Sequence, residues 1–243
     1  MIFWKKWKNI TEQEKAAIKV LLQIKRLVLK KIPKENIISI YCGGSFPRRE
    51  MTSKSDVDIW VIVTDTATLK IFPKLWKLTK KKYELPSGIS GYALWELKTG
   101  KHSKQITKKR TGPRRFVKYM PNYHLIYGKK LKQKDFKTRT DLEDLLIMLK
   151  TFKTMFLPWY KKKELDFQAL LKQTFWLADL EFKIRGMHPP HSWKGLTKIS
   201  PKDHIVHTAM KLRNSRPKDK RTQNAFILKL KKYLAALKKE FGK

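Results

Sequence analysis

The stretch from Ile37 to Val63, IISIYCGGSFPRREMTSKSDVDIWVIV, narrows the choice of fold more than any other part of the chain. A β-branched run (Ile37, Ile38, Ile40) breaks at Gly43-Gly44-Ser45, and a second apolar run, Ile59–Val63, opens with Ser55-Asp56-Val57-Asp58. β-Branched residues favour pleated backbone and a diglycine step favours a turn, which reads as strand, turn, polar connector, strand. Side chains two apart on a strand share a face, so Asp56 and Asp58 project together. Two adjacent carboxylates in a largely apolar sheet repel each other and resist desolvation unless a cation lies between them. Mg2+ takes one or two carboxylates plus substrate phosphates, and glycine lets backbone N–H groups approach a phosphate closely. The order of these pieces suits a phosphate-and-metal site.

Gly44-Ser45, Arg48 and Asp56-Val57-Asp58-Ile59 resemble the GS-x(n)-DhD signature of the nucleotidyltransferase superfamily, whose catalytic fold is polymerase-beta-like. That superfamily includes aminoglycoside nucleotidyltransferases, CCA-adding and poly(A) polymerases, and the minimal nucleotidyltransferases of toxin–antitoxin pairs. The resemblance covers about the N-terminal half. It implies that Asp56 and Asp58 hold two Mg2+ ions, with a third carboxylate on a later strand of the same sheet. Glu96, 40 residues after Asp56, is the best match, on an expected strand Ser90–Lys98, and would complete the metal site or accept the acceptor's proton. Gly43, Gly44, Ser45 and Ser55 are expected to hold the nucleotide, and Arg48 to sit near its triphosphate. Many members read GSxARG; here Arg49 stands at the final glycine, so a different local backbone is expected there.

Charge is the second strong feature. Lys+Arg number 57 against 20 Asp+Glu, a formal net charge of +37. Lysine used only for solvation is normally matched by glutamate, so a polyanionic partner is the better explanation. From Lys101 to Lys118 the chain reads KHSKQITKKRTGPRRFVK, with eight basic residues and no acid. Lys101, Lys104, Lys108, Lys109, Arg110, Arg114, Arg115 and Lys118 are therefore candidate contacts to a nucleic-acid backbone. The alternative is a solvated loop.

Forty-one per cent hydrophobic residues with 8 Trp and 12 Phe indicate a folded chain. No run is long enough to span a membrane, and the start, MIFWKKWKNI, lacks a signal-peptide core. The single cysteine, Cys42, excludes an intrachain disulfide and fits a reducing cytoplasm.

Thr11 and Glu14 form a capping box ahead of a helical stripe (Ala17, Leu21, Ile24, Val28) that Pro33 stops. Leu69–Tyr83 has helical spacing interrupted by Pro73, and His124–Gly128 reads as a strand closing the sheet. Beyond Lys129–Lys137 the periodicity is helical throughout. One helix follows the Thr140/Glu143 capping box and ends at Pro158, and a second stops at Gly186. A third starts at Ser200-Pro201, and a last one carries Phe226 to Phe241. The expected architecture is α/β (α+β): a mixed-sheet catalytic domain over residues 1–135 and a four-helix bundle over 136–243 that selects the acceptor. The pairs His188/His191 and His204/His207 lack the further soft ligands that zinc requires. Trp159, Tyr160, Trp176 and Trp193 are core candidates that could also stack on bases.

The expected activity is Mg2+-dependent transfer of a nucleoside monophosphate from an NTP, ATP or CTP, to an acceptor hydroxyl. The charge favours an RNA end, above all tRNA, as acceptor. The alternatives are adenylylation of a small molecule such as an antibiotic, or of a protein partner, and a non-catalytic nucleic-acid-binding protein.

Overall fold

The computed structural model describes residues 3–52, 55–103, 111–190 and 192–242. Lys104, Lys108, Lys109, Arg110 and His191 lie outside them. The chain separates into two units, Met1–Thr138 and Arg139–Lys243.

In the first unit, helix α1 (Glu12–Lys31) begins at the expected capping box. Thr11 Oγ1 accepts from the Glu14 N–H, and Glu14 Oε2 accepts from the Thr11 N–H. Strand β1 (Ile37–Gly43), strand β2 (Val57–Val63), helix α2 (Phe72–Lys82) and strand β3 (Ser87–Ala93) follow. Pro73 falls in the first turn of α2, where a missing N–H costs nothing. Two short helices, α3 (Leu94–Thr99) and α4 (Pro113–Tyr119), precede strand β4 (His124–Gly128). The sheet order is β3-β2-β1-β4; β1 runs antiparallel to β2 and β4, and β2 runs parallel to β3 through the α2 crossover.

Both faces of the sheet are covered. Ile40, Cys42, Val57, Ile59, Val61 and Val63 pack under α1 and α2. Tyr41, Ile62 and Tyr92 pack on the opposite face against Leu97, Phe116 and Val117 of α3 and α4. Strand alternation then puts Asp56 and Asp58 on the α3/α4 side, in line with Trp60 and Ile62.

The expected strand Ser90–Lys98 is corrected. It ends at Ala93, and Leu94–Thr99 is helical, closed by Gly100 at φ 72°. The physical reason is local: Glu96 caps the new helix from its third position, and a C-terminal glycine ends it after a turn and a half.

The second unit is a helix bundle. Helix α5 (Asp141–Thr151) starts at the Thr140/Glu143 capping box. It does not end at Pro158: a π-helical turn (Phe152–Phe156) leads into α6 (Leu157–Lys161), whose first turn tolerates the proline. Helix α7 (Phe167–Ile184) is N-capped by Asp166 and stops before Gly186 at φ 77°. A short helix α8 (Trp193–Ile199) follows, so Ser200 ends a helix instead of starting one. The true N-cap of α9 (Ile205–Ser215) is His204, whose Nδ1 accepts from the Val206 N–H at 3.3 Å. Helix α10 (Lys220–Phe241) closes the unit. Glu181, buried on α7, accepts from His204 Nε2 at 3.1 Å, Arg185 Nε at 3.0 Å and the Tyr233 hydroxyl, tying α7, α9 and α10 together. His204 therefore serves packing. Trp193 is buried against Phe175 with the Arg213 guanidinium 4.0 Å from its ring centroid, whereas Trp159 is exposed. Among the described residues no helix is long and apolar enough to cross a membrane.

Candidate active site

Antiparallel register brings the two halves of the motif together. Gly43 on β1 stands opposite Asp58 on β2, so the diglycine bend begins where the acid-bearing strand begins. Gly44 has φ 76° and lies against Asp58: a Cβ there would strike the Asp58 carboxylate. A Cβ at Gly43 would press into the rings of Trp60 and Tyr123. Both glycines are thus required by close approach, and Gly44 by its conformation as well. Gly44→Ala is expected to cost roughly 1 kcal/mol of backbone strain. By displacing Asp58 it should also cut transfer about a hundredfold. Steady-state rates measured beside thermal unfolding separate the two effects.

The turn is anchored from behind. Phe46 is fully buried among Phe3, Trp4 and Trp7, and the Glu50 N–H donates to the Ser45 carbonyl at 3.0 Å. Arg49 adopts φ 56°, a left-handed conformation that favours glycine. Its side chain compensates the strain. Arg49 donates to both carboxylate oxygens of Glu14 at 2.8 and 3.1 Å, and to the Lys8 and Asn9 carbonyls at 3.0 and 2.7 Å. Its guanidinium also lies 5.1 Å from the Trp7 ring centroid. These bonds hold the Glu14 carboxyl below the usual carboxylate range despite its burial.

Arg48 donates to Glu50 Oε2 at 3.0 Å. Ser55 closes its own turn, its Oγ accepting from the Thr52 N–H at 2.8 Å. Tyr123, which the sequence reading passed over, stacks on Trp60 with centroids 4.3 Å apart. Burial, and then the Asp58 carboxylate, push its hydroxyl well above the ordinary phenol range, while Arg115 and Arg48 pull the other way. Asp58, Arg48 and Arg115 are accordingly all within electrostatic reach of one ring. Of the basic segment, Arg115 is half-buried with its guanidinium 5.9 Å from the Tyr119 ring centroid, Lys101 and Arg114 are exposed on the surface, and Lys118 is half-buried. The pattern His124-Leu-Ile-Tyr-Gly128, with a tyrosine just ahead of the strand that pairs with β1, is the sequence signal that could have pointed to Tyr123.

Glu96 is not brought to the pair. Parallel register sets Asp58 opposite Gly88 and Val63 opposite Ala93, so Glu96 follows the far end of β3, about 16 Å of strand away from Gly88. Its side chain is fully buried and occupied: Oε2 accepts from the Ala93 N–H at 3.0 Å and Oε1 from the Ser103 N–H at 2.5 Å. Among the described residues no three His, Cys, Asp or Glu side chains converge. The Asp56–Asp58 pair itself fits Mg2+. Both acids are only half-buried, on one face, beside a backbone that presents no side chain at Gly44 or Gly88.

The nucleotidyltransferase domain family matches residues 21–165, more than half of the chain. The chain belongs to that family. Its activity class is therefore nucleotidyl transfer, and its fold is the polymerase-beta-like sheet followed by a helical domain. No curated protein matches the chain in sequence. Among solved structures, it is similar to the spectinomycin adenyltransferase AAD(9) from Enterococcus faecialis, determined with ATP and spectinomycin. That likeness has a TM-score of 0.55 at 13% identity and covers 88% of this chain and 99% of the other. The likeness in fold thus runs through both units of this nucleotidyltransferase.

Proposed function

We propose that this nucleotidyltransferase transfers a nucleoside monophosphate from a Mg2+-bound NTP, most simply ATP, to a hydroxyl of a small-molecule acceptor. The observation that supports the transfer chemistry is the apposition of Gly44 and Asp58, which brings the diglycine bend against one of the two carboxylates. Asp56 and Asp58 would hold the ion, and a bound Mg2+ neutralises phosphate charge and favours attack at the α-phosphorus. The Gly43–Ser45 backbone and the Ser45 hydroxyl take the outer phosphates, and Arg48 and Arg115 add positive charge beside them. The acceptor oxygen forms a new bond to the α-phosphorus, the bond to the bridging oxygen breaks, pyrophosphate leaves with its electron pair, and the acceptor's proton passes to solvent. Positioning and charge neutralisation dominate such a reaction. The small-molecule acceptor is supported by a fold shared, across nearly the whole of the other chain, with an enzyme described as a spectinomycin adenyltransferase.

An RNA acceptor is the second reading, favoured by the net charge of +37. The two are separated by incubating the protein with Mg2+, each α-labelled NTP in turn, and either a panel of hydroxylated antibiotics including spectinomycin or total tRNA. Label on an antibiotic is the expected result. Label on RNA establishes the second reading, in which neutralising about six phosphates predicts a log–log salt slope near −4 to −5. Label on neither, or on protein alone, overturns the small-molecule proposal.

A further inference from the structure

Position 88 on β3 is the place from which a side chain would reach both aspartates. A Cβ added at Gly88 would stand 3.2 Å from Asp58 Oδ1 and 3.8 Å from Asp56 Oδ2. The residue there is glycine, and the next residue on that face is Ser90. Of the unit's other acids, Glu50 is paired with Arg48 at 3.0 Å, Glu84 with Lys19 at 3.6 Å and Asp65 with the Thr68 N–H at 2.8 Å, and Glu96 is held in its cap. Residues 53–54 and 104–110 contain no Asp, Glu, His or Cys.

We infer that the centre retains one divalent ion, not two, with Gly88 standing where a third carboxylate would have recruited the second. The inference rests on the metal-dependent reading above and sharpens it. One Mg2+ balances the two carboxylates. A second dication would find no further anionic side chain on the described strands to hold it. The ion is then brought by the triphosphate, since two carboxylates alone hold Mg2+ weakly and the substrate phosphates complete its oxygen shell.

Counting bound Mn2+ tests this on the full chain. The protein, saturated with α,β-methylene ATP, is titrated with Mn2+ while free ion is followed by electron paramagnetic resonance. One Mn2+ per chain is expected, with Asp58→Asn weakening it at least about tenfold. Gly88→Asp, at a backbone position that requires no positive φ, should bind a second Mn2+. Ser90→Asp offers the same gain one step along the face if Gly88→Asp fails to fold. Two Mn2+ per wild-type chain would overturn the inference, whichever part of the chain supplied the extra ligand, and so would a count unaffected by Asp58→Asn. Nucleotidyl transfer with two ions bound would refute the count and leave the proposed function standing. One ion bound with no transfer to any acceptor would do the reverse.

Discussion

Asp58→Asn should lower nucleotidyl transfer at least about a hundredfold while leaving the fold intact. The amide is nearly isosteric with the acid, and Asp58 sits at the half-buried mouth of the sheet, where its loss opens no cavity. What disappears is charge. In the proposed function Asp58 would be one of two anionic ligands to the ion, and in the fold its carboxylate lies against Gly44. Circular dichroism and thermal unfolding should superimpose on those of the wild type, with the loss confined to turnover and to Mn2+ affinity. A variant that retained full transfer would exclude Asp58 from the chemistry.

Glu96→Ala should give the opposite signature. Removing this buried carboxylate strands the N–H groups of Ala93 and Ser103 without their acceptor, a cost of about 2–6 kcal/mol at 1–3 kcal/mol for each buried donor. The melting temperature should fall by roughly 5–20 °C, while transfer per folded molecule stays near the wild-type level at a temperature below the transition. A collapse of turnover with unchanged stability would return Glu96 to the metal site. The family resemblance grouped these two acids in one site, and the experiment distinguishes a carboxylate needed for transfer from one that caps a helix.

The readings that held depend on short-range rules. Thr11/Glu14 and Thr140/Glu143 close over three residues, so their capping boxes are visible without a fold. Asp56 and Asp58 share a face because strand periodicity is two. The glycine bend ahead of them follows from the residue types alone. The readings that failed depended on choosing between two local possibilities of similar strength. Ser200-Pro201 has the composition of a helix start, yet α8 already ends there and His204 caps the next helix. Pro158 would stop an isolated helix, but a π turn ahead of it shifts the proline into a tolerant position. Leu94–Thr99 continues an apolar strand pattern, but Glu96 and Gly100 together cap a short helix.

By itself the sequence determined the acid pair, the glycine bend that serves it and the division into a sheet domain and a helical one, because each is written within a few neighbouring residues. Only the tertiary structure decided what stands opposite the pair. That depends on the register between β2 and β3, which a long crossover connects and which no nearby residue encodes. Register put Gly88 beside Asp58 and left Glu96 at the far end of the strand. In the same way, contact with the start of α1 and the segment just before it holds Arg49 at a left-handed backbone angle, since the bonds to Glu14, Lys8 and Asn9 come from residues about 35–41 positions away.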